Sequence, residues 1–222
     1  MLEASLSGLN GKKLDGYSVK MGKTSAGRYP EAVNFELYLV DQEGESCDNP
    51  VVWGTFFGGR GEAYKPWIEI YFREEAAFKS SGTLKLAEAG VDEAFFRALV
   101  ELIPPGGHIM VVYLDHEETR KGLEQGVPAP ATPIGHLLWK SGCTWFKDWY
   151  FAEGFREGDV KLQGDKPTNE ENRRKDLLEI HQALYEFLRK EKSENELFAR
   201  ARERAKEIMA SINRTHVGVP KK

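Results

Sequence analysis

Apolar and polar positions alternate with period two through the first third of the chain and with a period near 3.6 through much of the remainder. Residues 17–21, Tyr-Ser-Val-Lys-Met, alternate briefly and read as an edge strand. From Asn34 onward, Phe35, Leu37 and Leu39 alternate with Glu36, Tyr38 and Val40, the pattern of a strand with unlike faces. Residues 41–50, with Gly44 and Asn49-Pro50, form a polar turn. Residues 51–57 are β-branched and aromatic, and they stop at Gly58-Gly59-Arg60-Gly61, where a tight reversal is permitted. Residues 67–72 put Ile68, Ile70 and Phe72 on one face and Trp67, Glu69 and Tyr71 on the other. Together these segments predict an antiparallel meander.

The period then changes. Asp92 suits the N-cap of a helix that carries Phe95, Phe96, Leu99 and Ile103 on one side, and Pro104-Pro105 prevents its continuation. Residues 109–114 form a continuous apolar run, as expected of a strand buried on both faces. A second helix is punctuated by Thr132 at the N-cap, Pro133 at the first helical position and Gly142 at the stop. Residues 145–151 and 160–163 read as two strands around a turn at 154–159. Capping-box spacing at Thr168 to Glu171, and again at Ser193 to Glu196, opens two helices. The first carries Leu177, Ile180, Leu184, Phe187 and Leu188, and the second Leu197, Ala201, Ala205, Ile208 and Ile212. The predicted fold is α+β: a mixed, largely antiparallel central sheet with flanking helices in residues 1–166, and a helical hairpin in 167–222 packed on it.

Composition narrows the function classes. The chain has 222 residues, 41% apolar and 30% charged, with a net charge of -4, so it is globular and has no overall attraction for nucleic acid. The basic stretch around residues 200–204 is interleaved with glutamate and reads as a compensated exposed face. No apolar run approaches bilayer-spanning length, and residues 1–10 lack a basic segment followed by an apolar one, so a cytoplasmic protein without membrane partners is expected. Cys47 and Cys143 are too few for a disulfide scaffold and are expected as reduced thiols. A homodimer is left open.

Polar groups gather at the predicted strand ends. Asp115-His116-Glu117-Glu118 follows the most apolar strand, where a carboxylate beside an imidazole is able to act as an acid/base pair. Asp115 and Glu117 would serve equally as caps of the next helix. Glu69 lies on one face with Trp67 and Tyr71, neighbours that would desolvate it and raise its pKa if that face lines a cleft; cross-strand pairing on an open face is the duller alternative. Lys147, Asp148, Tyr150 and Glu153 are the polar members of an aromatic strand that also holds Trp149, a density suited to a pocket, an interface or a core with a few ion pairs. Ser80-Ser81-Gly82-Thr83 and Gly58-Gly59-Arg60-Gly61 are the small-residue loops able to offer backbone N–H groups to phosphate. No spacing of metal ligands is recognisable, and no metal is expected.

Three resemblances bear on function. The order of helix, Leu102-Ile103-Pro104-Pro105-Gly106-Gly107, strand, helix and glycine over residues 95–142 looks like the last third of a class I S-adenosylmethionine-dependent methyltransferase. The whole element order, from the meander at 34–72 to the final hairpin, is similar to the Gcn5-related N-acetyltransferase fold. That likeness implies acyl-CoA as cofactor, with its pyrophosphate on backbone amides near Ser81, Gly82 and Thr83, and a general base on the fourth strand, matching Glu69 by position. The chain also resembles an uncharacterised archaeal and bacterial family of unknown function over residues 122–166.

The leading expectation is therefore acyl transfer from a CoA thioester to an amine or other small molecule. Glu69 or His116 would deprotonate the amine, with Asp115 and Tyr150 as further catalytic candidates. Arg60, Trp67, Lys147, Trp149 and Glu153 would face the substrate. A methyltransferase and a non-enzymatic binding or assembly module are the alternatives, and the pieces around Glu69, His116 and residues 147–153 are expected to meet.

Overall fold

The computed structural model describes residues 7–14, 16–29, 31–59, 65–113, 116–148, 161–190 and 195–214. They form an α+β structure in two units, divided between Val112 and Tyr113.

In the first unit the alternating segments pair as their patterns require. The strands are β1 (Lys13–Leu14), β2 (Tyr17–Met21), β3 (Ser25–Ala26), β4 (Ala32–Val40), β5 (Val52–Phe57), β6 (Trp67–Phe72), β7 (Glu75–Phe78), β8 (Gly82–Lys85) and β9 (His108–Val112). The sheet order is β1-β2-β4-β5-β6-β9, with β3 also on β4. All of these pairs are antiparallel except β6 with β9, which run parallel. Residues 17–21 are thus a strand, as expected, but β1 covers their outer side, so they are not an edge.

Helix α1 (Val91–Glu101) connects β6 to its parallel partner, after the separate β7–β8 hairpin. Phe95, Phe96 and Leu99 are almost fully buried, as are Leu37, Ile68, Ile70 and Ile109 on one face of the sheet. Phe72 meets Phe96 edge to face, with ring centroids 5.2 Å apart. The helix begins two residues earlier than an N-cap at Asp92 predicts. Gly90 takes the N-cap with φ +67°, and Asp92 instead accepts from the Glu93 amide at 2.6 Å.

The second unit contains α2 (Glu117–Glu124), α3 (Pro133–Lys140), β10 (Trp145–Asp148), β11 (Lys161–Asp165), α4 (Glu170–Lys190) and α5 (Glu196–Arg214). Thr132 caps α3, accepting from the Gly135 amide at 3.3 Å with Pro133 next in line, and Gly142 ends the turn beyond α3 with φ +101°. At α4 the expected Thr168 box gives way to Asn169, whose Oδ1 accepts from the Asn172 amide at 2.8 Å. At α5 the cap is Asn195, accepting from the Leu197 amide at 2.9 Å. Asparagine caps as well as serine or threonine, so the helix starts were readable while the capping residue was not.

The helical hairpin packs on residues that precede it. Leu177, Ile180, Leu184 and Phe187 of α4, and Phe198, Ala201, Ala205, Ile208 and Ile212 of α5, form one apolar cluster with Val127 and Ala131. The helical hairpin therefore shares its interior with the segment before α3.

Candidate functional site

The half-buried face of the first unit's sheet collects polar and aromatic side chains by cross-strand register. Trp53 stands opposite Tyr71, Thr55 opposite Glu69, and Phe57 opposite Trp67 on β5 and β6. On the outer side, Glu36 of β4 pairs with Trp53 and Asn34 with Thr55; across β9, Trp67 pairs with His108 and Glu69 with Met110. Since side chains alternate along a strand, all of these lie on the face opposite α1's partners Ile68, Ile70 and Phe72.

The aromatic members form two pairs. Phe57 and Trp67 stack at 5.5 Å, and Trp53 and Tyr71 stack at 5.3 Å with only 7° between their planes. The Arg73 guanidinium lies over the Trp53 ring at 5.0 Å, within cation–π range. Between the two pairs lie Glu69 and Thr55, and the Thr55 hydroxyl donates to Asn34 Oδ1 at 2.8 Å. Trp67 and Glu69 are partly exposed and Tyr71 is 39% exposed, so this face is reachable by a small molecule.

Gly54 sets how closely β5 approaches β6 here. A Cβ at this position would lie 1.9 Å from the Glu69 carbonyl oxygen, so only glycine lets the two backbones meet as they do. The parallel pairing of β6 with β9 runs unbroken from Trp67 and His108 to Tyr71 and Val112. The two strands therefore do not splay at the level of Glu69.

Ser81, Gly82 and Thr83, the predicted phosphate cradle, are exposed at the turn and first strand residues of the β7–β8 hairpin, with Gly82 at φ +82°. The Glu45 carboxylate accepts from the amides of Lys79 at 3.0 Å and Ser80 at 3.2 Å, and from the Ser80 hydroxyl. Those bonds, led by the Ser80 hydroxyl, hold the Glu45 carboxyl below its usual range. The Glu45 carboxylate thus lies beside this segment, bonded to the two amides that precede it.

In the second unit, His116 is buried directly before α2; its amide donates to the Tyr113 carbonyl at 2.9 Å and its carbonyl accepts from the Arg120 amide at 3.0 Å. Its side chain makes no capping bond to α2. Glu117 stands in the first turn of α2, where negative charge is favoured, and pairs with Lys121 at 2.6 Å; that ammonium holds its carboxyl down. Lys147 is exposed on β10, opposite Gln163, while Asp148 on the other face accepts from the Tyr113 hydroxyl. Glu69 thus belongs to the first unit, and His116 and Lys147 to the second. Arg60, Asp115, Trp149, Tyr150 and Glu153 lie outside the described residues.

Cys47 and Cys143 are both free thiols, and both are buried. Burial pushes the Cys143 thiol well up, which leaves it protonated and poorly nucleophilic. Among the described residues no group of three or more His, Cys, Asp or Glu side chains is placed to hold a metal ion, and no helix is long and apolar enough to cross a membrane.

Sequence reading found Glu69, Trp67 and Tyr71 but missed Trp53, Thr55, Asn34 and Arg73. Their signal was the same alternation on the neighbouring strands, which becomes a cluster only when register is known.

Residues 15–191 match the family described as Protein of unknown function (DUF1122). The chain belongs to this family. The match is as expected from the resemblance of residues 122–166 to an uncharacterised family. The chain is also similar to AQ1966 from Aquifex aeolicus VF5, a crystal structure of a protein of unknown function. The two share 28% identity with a TM-score of 0.71, over 93% of this chain and 98% of that one. No curated protein matches the chain. Helix α5 lies beyond the residues of the family match, although it supplies five members of the second unit's apolar cluster.

Proposed function

We propose that this DUF1122 member is an N-acyltransferase that moves an acyl group from a CoA thioester to an amine, with Glu69 as the general base. The observation that carries the reading is the position of Glu69. It sits mid-strand on β6, which closes an antiparallel meander and is also the parallel partner of β9 across α1, and this element order supports the resemblance to the Gcn5-related N-acetyltransferase fold. In this reaction Glu69 takes a proton from the substrate ammonium. The neutral amine nitrogen then attacks the thioester carbonyl, the carbon–sulfur bond breaks, and the proton that the attacking nitrogen loses as the amide forms goes to the departing CoA thiolate. The pyrophosphate is not assigned to Ser81, Gly82 and Thr83 in this reading, because Glu45 occupies the neighbouring amides.

The test is a thermal-shift panel followed by turnover. Acetyl-CoA and CoA, well above micromolar concentration, are expected to raise the melting temperature, and S-adenosylmethionine is not. Glu69→Gln is expected to lower acyl transfer by about 10²- to 10⁴-fold without loss of folding. No shift with either CoA species would overturn the proposal. The methyltransferase alternative draws less support, since the first unit's sheet is largely antiparallel with one parallel pair, β6 with β9.

A second reading, a non-enzymatic binding module, draws support from the unbroken β6–β9 pairing and from the Glu45 carboxylate beside residues 81–83. It expects Glu69→Gln to leave biological activity intact.

A further inference from the structure

The two aromatic pairs and the carboxylate between them specify a kind of ligand. Along β6, Trp67 and Tyr71 are four residues apart, which at the rise of an extended strand separates them by roughly 13 Å. Each is backed by a ring from β5, Phe57 in one case and Trp53 in the other. The result is a surface stripe with an aromatic pair at each end and Glu69, Thr55 and, beyond Thr55, Asn34 between them. A stripe of that length suits a chain lying along it better than a single flat ring.

Its electrostatics select the sign of charge. Aromatic faces are negative and attract cations, and the carboxylate adds a full negative charge at the middle of the stripe. The molecule already displays this preference, for Arg73 rests over Trp53 at 5.0 Å. Glu36, the cross-strand neighbour of Trp53, contributes a second carboxylate on the same face, held by the Tyr38 hydroxyl at 3.0 Å. A neutral or anionic chain would gain the apolar contact but not the charge terms.

We infer that this face binds an organic cation, specifically a primary ammonium on an unbranched alkyl chain, with the ammonium at Glu69 and the chain along the aromatic end groups. The inference rests on the acyltransferase reading only for its site, since it names the class of acceptor that Glu69 would serve.

The experiment uses the full chain and ligand-observed NMR titration with hexylamine and, as a neutral probe of the same length, 1-hexanol at neutral pH. Hexylamine is expected to bind at least about tenfold more tightly than hexanol, and Glu69→Gln to abolish that preference. Tyr71→Leu, at an exposed position that tolerates change, is expected to weaken hexylamine severalfold, and it serves if the Glu69 variant fails to fold. Equal affinity for the two probes, or an undiminished preference in folded Glu69→Gln, overturns the inference. Acetylation of hexylamine is followed in parallel with acetyl-CoA. Binding that depends on Glu69 without any acetylation upholds the inference while removing the acyl-transfer reading, so the two fail separately.

Discussion

The two units place their charges in different surroundings. On the sheet face of the first, Glu69 stands beside Thr55 and Met110 in register, with stacked aromatic pairs to either side along the strands. On the helices of the second, charges are matched one or two turns away or across a helix contact: Arg200 with Glu196 and Glu118, Arg204 with Glu118, Lys206 with Glu203. The basic groove along α5, lined by Arg200, Arg202, Arg204 and Lys206, carries Glu203 within it, as the interleaved sequence suggested. The helix charges of the second unit are matched by neighbours and have a structural role at hand, whereas Glu69 also lies between aromatic pairs whose faces attract cations. That contrast is why the functional reading settles on the first unit.

The largest effects are expected where each unit brings backbones closest. A Cβ at Gly135 would lie 1.8 Å from the Ala129 carbonyl oxygen, and one at Gly54 1.9 Å from that of Glu69. Gly135→Ala and Gly54→Ala should each cost about 3 kcal/mol or more, read as a lowered urea midpoint. If the contrast between units holds, Gly54→Ala also impairs ligand binding, because β6 must shift, and Gly135→Ala does not. Next comes the shared core of the second unit. Leu184 and Ile208 are fully buried, and truncating either to alanine should cost about 2–5 kcal/mol. A loss confined to α4 and α5, with signals of residues 127–131 unchanged by NMR, would restore the hairpin as a separate appendage.

Smaller effects probe the charges. Glu118 is about three-quarters screened from solvent and accepts from Arg204 at 2.7 Å and Arg200 at 3.1 Å. Glu118→Gln should cost about 1 kcal/mol in chemical denaturation, and less at high salt. Asp176 gives the smallest. Partial burial raises its carboxyl pKa, with Glu179 adding to the rise, while the Thr144 hydroxyl bonded to it at 2.8 Å pulls the other way. Because its folded pKa lies above the unfolded one, the group costs nothing below the unfolded carboxylate range, and stability falls as pH rises through the folded pKa. Asp176→Asn, which keeps an acceptor for Thr144, should therefore raise the melting temperature by about 1 °C at neutral pH and by nothing below about pH 3.9.

Alternation along residues 34–40, 51–57 and 67–72 carried the meander, because one buried face imposes period two on any strand that forms it. The punctuation at Thr132, Pro133 and Gly142 likewise carried α3, since helix ends must satisfy their own backbone groups locally. What local pattern could not carry was anything dependent on distant partners. The short strands β1, β3, β7 and β8 hold too few residues to show a period, and the place of residues 81–83 in a hairpin follows from the pairing of β7 with β8. The packing of Val127 and Ala131 into the helical hairpin's core is likewise a contact between segments far apart in sequence.

The site divides along the same line. By itself, the sequence determined that Glu69 shares a strand face with Trp67 and Tyr71, because residues two apart on a strand point the same way. Only tertiary structure decided that Thr55, Trp53 and Phe57 stand opposite them, because register is chosen by the pairing of whole strands and a slip of one residue would have sent all three to the other face.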